Sequence, residues 1–186
     1  MELLEAIEKR RAVREFTDAP VERASVERLI HAAVLAPSAM NLQPWAFAVL
    51  LDRQRIEDLG DRAKSHLLAN FPRTGPVASL RKTVEDPHYV LFHRAPALVL
   101  VLATSSEAQA DEDCCLAAQN LMLAARGEGI GACWIGLARP WANLSSTKVE
   151  LGLPEHYAVV APIVLGHPKA WPASHGRNAP EIHWLK

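Results

Sequence analysis

Three arginines stand within five residues near the start of the chain: Arg10, Arg11 and Arg14. A planar guanidinium group can donate two hydrogen bonds at once, which suits the oxygens of a phosphate. A solvated basic cluster is the alternative interpretation. The cluster directly follows a predicted helix in a chain of balanced charge, and Arg177 is a further candidate far along the chain. We therefore predict that these arginines bind an anionic group.

A second polar group lies between a predicted helix and a predicted strand. It comprises Pro37, Ser38, Asn41 and Gln43, within the stretch Pro-Ser-Ala-Met-Asn-Leu-Gln-Pro-Trp. Polar side chains at such a boundary either cap backbone groups or contact a ligand. From the residues alone, both interpretations remain open.

The elements around this polar stretch follow from apolar spacing. Val26, Leu29 and Ala33 form one stripe of a helix, which we expect Pro37 to end, because proline disfavours the α conformation in the residue before it. The continuous apolar run 46–51 predicts a strand covered on both faces.

Further strands and helices alternate along the rest of the chain. Strands are predicted at 97–103, 132–135 and 157–165, and helices from Asp52, over 111–126 and from Asn143 or Ser145 to Leu151. The helix over 111–126 is apolar on nearly every side, so it is either central or covered by a second subunit. We expect Gly127 to be its C′ residue, residues 70–94 to form a loop, and the last twenty residues to form an extended arm. This order predicts a mixed sheet with helices on its faces, in one domain over residues 1–186.

Composition narrows the function classes. The chain has 186 residues, 49% of them hydrophobic, and a net charge of −1. This balance indicates neither nucleic acid nor a membrane as a partner, and no apolar stretch approaches the roughly 20 residues of a membrane helix. The acidic N-terminus lacks the pattern of a signal peptide, so we expect a cytoplasmic protein.

Several catalytic patterns are missing from the sequence. The eight histidines and three cysteines show no metal-ligand spacing, so we predict no metal site. We expect the cysteines to be buried apolar residues. Gly127, Gly129 and Gly131 follow a helix and precede a strand, the reverse of a dinucleotide-binding loop. With no catalytic side chain indicated, a bound cofactor would have to carry any chemistry.

Four motifs, in this order, resemble those of the FMN-dependent nitroreductase family over nearly the whole chain. Residues 10–16 match its R-R-S-x-R-x-F, and residues 36–45 match its A-P-S-x-x-N-x-Q-P-W. Residues 113–136 match its apolar helix with G-x-G-x-x-W-I-G, and residues 161–168 with Arg177 match its last strand and basic arm. Ala12 stands where the family has serine, so a hydroxyl contact is lost while the N–H remains.

The resemblance implies a nitroreductase-like α+β fold in a homodimer with exchanged C-terminal arms and FMN at the subunit interface. One subunit would supply its arginines, with Arg10 and Arg177 near the phosphate, Arg14 near N1 and O2 of the flavin, and Ala12 and Arg11 beside them. The other subunit would supply Pro37, Ser38, Asn41 and Gln43. The backbone of Ile135 and Gly136 would face N5 and O4.

The resemblance also implies the reaction: hydride from NADH or NADPH passes to the flavin, and electrons then pass to a nitroaromatic, a quinone or a similar small acceptor in a ping-pong cycle. No side chain is predicted to be catalytic, because the flavin carries the chemistry. The alternatives are a same-fold FMN enzyme that dehalogenates, dehydrogenates or fragments flavin, a non-catalytic flavin-storage protein, and a cofactor-free interaction module.

Overall fold

The computed structural model describes residues 1–185. Its strands are β1 (Trp45–Leu50), β2 (Ala97–Ala103), β3 (Gly131–Trp134) and β4 (Ala158–Gly166). Its helices are α1 (Leu3–Lys9), α2 (Arg23–Ala33), α3 (Arg53–Ala69), α4 (Arg81–Glu85), α5 (Ala108–Gly127), α6 (Arg139–Ala142) and α7 (Ser145–Glu150). Short 3-10 turns span Ala39–Asn41, Pro76–Leu80 and Gly136–Ala138.

The strands form one sheet in the order β1-β2-β4-β3, in which all three neighbouring pairs are antiparallel. Ala12 adds a parallel bridge to Ala132 on the outer edge of β3, and Phe16 bridges to Pro168. The N-terminal segment therefore runs along the sheet edge. The combination of helices and sheet confirms the predicted α+β class.

Alternation along β2 builds a core on each face of the sheet. Val99 and Val101 pack with α2 and α5 on one face, whereas Leu98 and Leu100 pack with α3 and α6 on the other. Every residue of β2 is buried, as expected for a central strand covered on both faces. The two helical layers hold the sheet edges, and thus the candidate residues, in place.

The long helix α5 is buried along one side only in this chain. Ala117 and Leu121 are fully buried, while Leu116 is 45% exposed on the other side. Its end differs from the prediction: Gly127 is the last helical residue, and Gly129 takes the left-handed conformation with φ of 75°. Glycine is favoured there because it adopts a positive φ without a steric penalty.

Three other predictions need correction. Helix α2 ends at Ala33, four residues before Pro37, so the proline follows a short turn rather than the helix itself. Strand β1 lies at the sheet edge and is half-exposed, because its outer side has no strand partner within residues 1–185. The segment 70–94 contains the turn Pro76–Leu80 and α4, whose Val84 is buried, so it is more ordered than predicted.

The C-terminal arm, residues 169–185, contains no helix or strand, which agrees with the predicted arm. Across residues 1–185, none of the helices combines the length and apolar character needed to cross a membrane.

Candidate functional site

The N-terminal segment places its arginines at the outer edge of β3. The Val13 N–H donates to the Ala132 carbonyl at 3.0 Å, and the Val13 side chain is fully buried. Gly131 permits this approach, because a Cβ there would lie 2.8 Å from the Cβ of Val13. With Val13 anchored inward, Arg10 and Arg14 on either side line a cavity of about 440 Å³.

The C-terminal arm supplies part of the lining of this arginine cavity. The Lys169 N–H donates to the Glu15 carbonyl at 3.0 Å, which joins the start of the arm to the N-terminal segment. Trp171 then lies under the guanidinium of Arg126, 3.6 Å from the ring centroid. The arm brings Arg177 to the same cavity, whose full lining is Arg10, Arg11, Ala12, Arg14, Glu15, Ala170, Trp171, Pro172, His175 and Arg177.

The donor set of this cavity suits a phosphate. Arg11 is partly engaged, since its Nη1 donates to the carbonyls of Glu8 at 2.6 Å and Arg10 at 2.7 Å. Its Nε is buried without a hydrogen-bond partner among the described residues, and a buried N–H without a partner is costly unless a ligand satisfies it. Four arginines facing one carboxylate, Glu15, leave a net positive cavity.

A second cavity, of about 360 Å³, shares Arg14 with the first. We call it the ring cavity, lined by Arg14, Leu80, Thr83, Val84, Tyr89, His93, Cys133, Trp134, Ile135, Gly136 and Leu137. Ile135 and Gly136 follow β3 directly, and the Ile135 N–H donates to the Pro162 carbonyl at 2.7 Å. An added Cβ on Gly136 would meet no atom within 4 Å, so its backbone is open to a ligand.

The loop 37–44 lies at the opposite edge of the sheet. It precedes β1, and the Thr104 N–H after β2 donates to the Pro44 carbonyl at 3.0 Å. Ser38 Oγ accepts from the Gln43 N–H at 2.9 Å, and Gln43 Nε2 donates to Asn41 Oδ1 at 3.0 Å. These hydrogen bonds support the turn-forming interpretation. Contact with a ligand stays a prediction, for which Pro37, Asn41 and Gln43 are exposed.

One chain does not bring the loop 37–44 and the arginine cavity together. Strands β2 and β4 lie between β1 and β3, which puts the two edges roughly 14 Å apart at the usual strand spacing. The arginines and Ile135 with Gly136 lie at the β3 edge, whereas Pro37, Ser38, Asn41 and Gln43 lie at the β1 edge.

Sequence reasoning missed four residues around these groups. Asp113, only 5% exposed, accepts the Ala39 N–H with both carboxylate oxygens at 3.2 Å and so fixes the loop 37–44. His175 lines the arginine cavity, and Tyr89 and His93 line the ring cavity. Asp113 follows two other acidic residues, Asp111 and Glu112, so its residue type did not single it out, and the other three belong to segments without any period.

Cys114 and Cys133 are buried as predicted and stay protonated at neutral pH, whereas Cys115 is exposed, contrary to the prediction. Burial raises the pKa of the Cys114 thiol to about 12, and burial also raises the pKa of Cys133 despite the opposing effect of Arg14. Such thiols are poor nucleophiles. Within the part of the chain that the structure describes, no group of three or more His, Cys, Asp or Glu side chains could hold a metal ion.

Comparison with known proteins identifies the family of this chain. The model of the nitroreductase family matches residues 7–167. The chain belongs to the nitroreductase family. A relative in Archaeoglobus fulgidus, named as an NADH dehydrogenase/NAD(P)H nitroreductase, is 32% identical over 169 residues, which are 90% of this chain and 86% of that protein.

The nitroreductase fold also appears in the structural comparison. A crystal structure of a nitroreductase with bound FMN from Bacteroides fragilis superposes with a TM-score of 0.83 and 26% identity over 100% of both chains. Relatives with other chemistry exist: a 5,6-dimethylbenzimidazole synthase of Rhodospirillum rubrum is 29% identical over 86% of this chain and 79% of its own length. Family membership therefore confirms the fold and leaves the acceptor open.

Proposed function

We propose that this chain is an FMN-dependent oxidoreductase that takes hydride from NADH or NADPH and passes electrons to a nitroaromatic, a quinone or a similar small acceptor. The observation that carries the proposal is the pair of cavities joined by Arg14. One is a basic cavity for a phosphate, and the other has the open backbone of Ile135 and Gly136. The cytoplasmic location and the single domain expected from the sequence stay predictions.

The proposal requires two copies of the chain. Because the loop 37–44 lies at the far edge of the sheet from the arginines, a flavin contacted by both groups must lie between two subunits. Exposed apolar side chains support such an interface: Leu3 and Leu4 of α1 are 67% and 72% exposed, and Leu116 of α5 is 45% exposed. Adjacent apolar exposure of this kind marks a protein–protein contact.

The chain's own residues would bind and orient the cofactor. Arg10 and Arg177 would hold the phosphate by paired hydrogen bonds, with Arg11 and the Ala12 N–H beside them. Arg14 would place a fixed positive charge near N1 and O2, where negative charge develops on reduction. The Ile135 and Gly136 backbone would face N5 and O4, and Pro37, Ser38, Asn41 and Gln43 of a second copy would complete the site. A bound flavin supplies the hydride and electron transfer that these side chains cannot perform.

The first test is the absorption spectrum of the purified protein, followed by anaerobic addition of NADH or NADPH. We expect a flavin spectrum that bleaches with at least one donor and returns when a quinone is added, which is the behaviour of a two-half-reaction cycle. Protein that binds no flavin, even after incubation with FMN, would contradict the proposal.

Arg14→Gln tests the role of the shared arginine. Loss of a charge-assisted hydrogen bond of about 1.5–3 kcal/mol should weaken FMN binding by at least tenfold or make the bound flavin harder to reduce. Arg73→Gln, which changes an exposed arginine outside both cavities, is the matched control. If Arg14→Gln and Arg73→Gln have equal affinity for FMN and equal flavin potential, Arg14 does not contact the flavin as proposed.

A second candidate function has a specific observation in its favour. The 5,6-dimethylbenzimidazole synthase relative and the ordered segment 76–85 over the ring cavity both suit a same-fold FMN enzyme of other chemistry. Steady consumption of NAD(P)H with a quinone favours the first proposal. A flavin that is bound but reduced by neither donor favours the alternatives of other chemistry or flavin storage.

A further inference from the structure

Two segments supply most of the lining of the ring cavity. Cys133 to Leu137, at the end of β3, form one wall, and the segment 80–93 forms the other. On this second wall Tyr89 and His93 carry the polar rings, which meet edge to face at 6.1 Å between centroids. The proposed function assigns no role to either residue.

We propose that Tyr89 and His93 contact the pyrimidine end of the bound flavin as neutral hydrogen-bonding groups beside Arg14. This inference rests on the proposed function, which puts Arg14 at N1 and O2 and the Ile135–Gly136 backbone at N5 and O4. Arg14, Ile135 and Gly136 all line the ring cavity. A ring edge held between them would therefore share the cavity with the polar side chains of Tyr89 and His93.

Lys64 holds this wall in position. Its Nζ donates to the carbonyls of Asp86 at 2.8 Å and Tyr89 at 2.7 Å, and it lies 5.6 Å from the centroid of the Tyr89 ring. His93 adopts φ of 54°, an unfavourable conformation for a non-glycine residue. The surrounding contacts must therefore fix the turn. These contacts use backbone groups and Lys64, which leaves the Tyr89 hydroxyl and the His93 ring nitrogens without a partner among residues 1–185.

Both rings are uncharged at neutral pH. Burial, together with the positive charge of Arg14, lowers the pKa of His93 to about 4. Burial raises the pKa of Tyr89, with Arg14 opposing it. Arg14 is thus the one charged side chain among the described residues that line the ring cavity. Neutral donors can bind the oxygens of a flavin ring without adding a second cation that would repel Arg14.

The test compares His93→Leu and Tyr89→Phe with His88→Leu, a matched control at an exposed histidine of the same segment that lies outside the cavity. Two quantities are measured: the dissociation constant of FMN from the reconstituted protein and the midpoint potential of the bound flavin. Loss of one neutral hydrogen bond should weaken FMN binding about fivefold in each cavity variant. If a variant loses ten times more affinity for reduced FMN than for oxidised FMN, the midpoint potential of the bound flavin falls by about 30 mV, since two electrons are transferred. His93→Gln should retain most of the affinity.

The outcomes separate this inference from the proposed function. Wild-type protein that fails to bind FMN overturns both. Wild-type protein that binds FMN, while both cavity variants keep its affinity and potential, overturns this inference alone. If His93→Leu does not fold, Tyr89→Phe decides, because it removes one hydroxyl and leaves the ring packing intact.

Discussion

Asp113→Ala should weaken both the fold and FMN binding, although Asp113 lies in none of the residue groups predicted to touch the flavin. The carboxylate is 5% exposed and shares the Ala39 N–H between its two oxygens, each at 3.2 Å. One hydrogen bond to a charged acceptor is worth about 1.5–3 kcal/mol. Removing the buried charge offsets part of that loss. We expect a net loss of about 1–2 kcal/mol in the free energy of unfolding, or about 3–6 °C in Tm for a chain of this size.

The effect on FMN follows from the loop that Asp113 fixes. Met40, Asn41 and Gln43 have φ of 49°, 56° and 50°, and a left-handed non-glycine residue costs about 1–2 kcal/mol. If one of these residues relaxes in the variant, FMN must restore its conformation when it binds, which weakens the affinity for FMN about 5- to 30-fold.

Thermal unfolding and FMN titration measure both effects, in Asp113→Ala and in two comparison variants. Asp113→Asn keeps an oxygen that can accept the Ala39 N–H, so it should retain most of the stability and affinity. Glu112→Ala changes an exposed acid on the same helix and should leave both unchanged. The reasoning is refuted if Asp113→Ala matches Glu112→Ala in Tm and in the FMN dissociation constant.

Three further predictions concern other parts of the chain. Gly131→Ala should lower the free energy of unfolding by about 1–3 kcal/mol in urea titrations, because its Cβ would lie 2.8 Å from Val13. Gly127→Ala, with no atom within 4 Å, should be neutral or stabilising. The pKa of His93 is lowered from 6.5 to about 4 in the folded state, so as pH falls the unfolded chain binds a proton at His93 before the folded chain does. Stability should fall as pH drops from about 6.5 to 4, by at most about 3 kcal/mol, and His93→Gln should flatten that slope. Removal of the chain from Ala170 onward should weaken dimerisation and FMN retention in sedimentation and absorbance measurements, and a truncated protein that stays dimeric and yellow would contradict arm exchange.

The sequence predicted the interior of the fold better than its edges. The apolar run 97–103 could only be a buried strand, and β2 has those bounds. The run 46–51 looks similar in composition, but strand order decides that β1 lies at an edge and is half-exposed. Either Gly127 or Gly129 could have been the left-handed residue that ends α5. The φ angle of Gly129 decides it, and the sequence G-x-G does not show which glycine has the positive φ.

In the candidate site, the sequence indicated some residues, whereas others are brought together only by packing. Arg10, Arg14 and Arg177 were candidates from their residue type and place in the sequence, and all three line one cavity. No pattern in the segment 70–94 indicated that Tyr89 and His93 would share a cavity with Arg14. Lys64 of α3 holds the turn by donating hydrogen bonds to backbone carbonyls. Any residue has such a carbonyl, so these bonds impose no pattern of residue types on the sequence.

Backbone strain links the two regions that sequence reasoning described least well. Among residues 1–185, the non-glycine residues with positive φ are Met40, Asn41, Gln43, His93 and Arg94. They fall in two turns, one in the loop 37–44 and one at the ring cavity. Strained conformations of this kind persist only where surrounding contacts impose them. Here a buried carboxylate of α5 imposes the first and a lysine of α3 contributes to the second. Glycine would relieve the strain at each position, and the chain has none there. The proposed function offers one reason: it would give both turns a contact with the ligand, from one subunit at the first turn and from the other at the second.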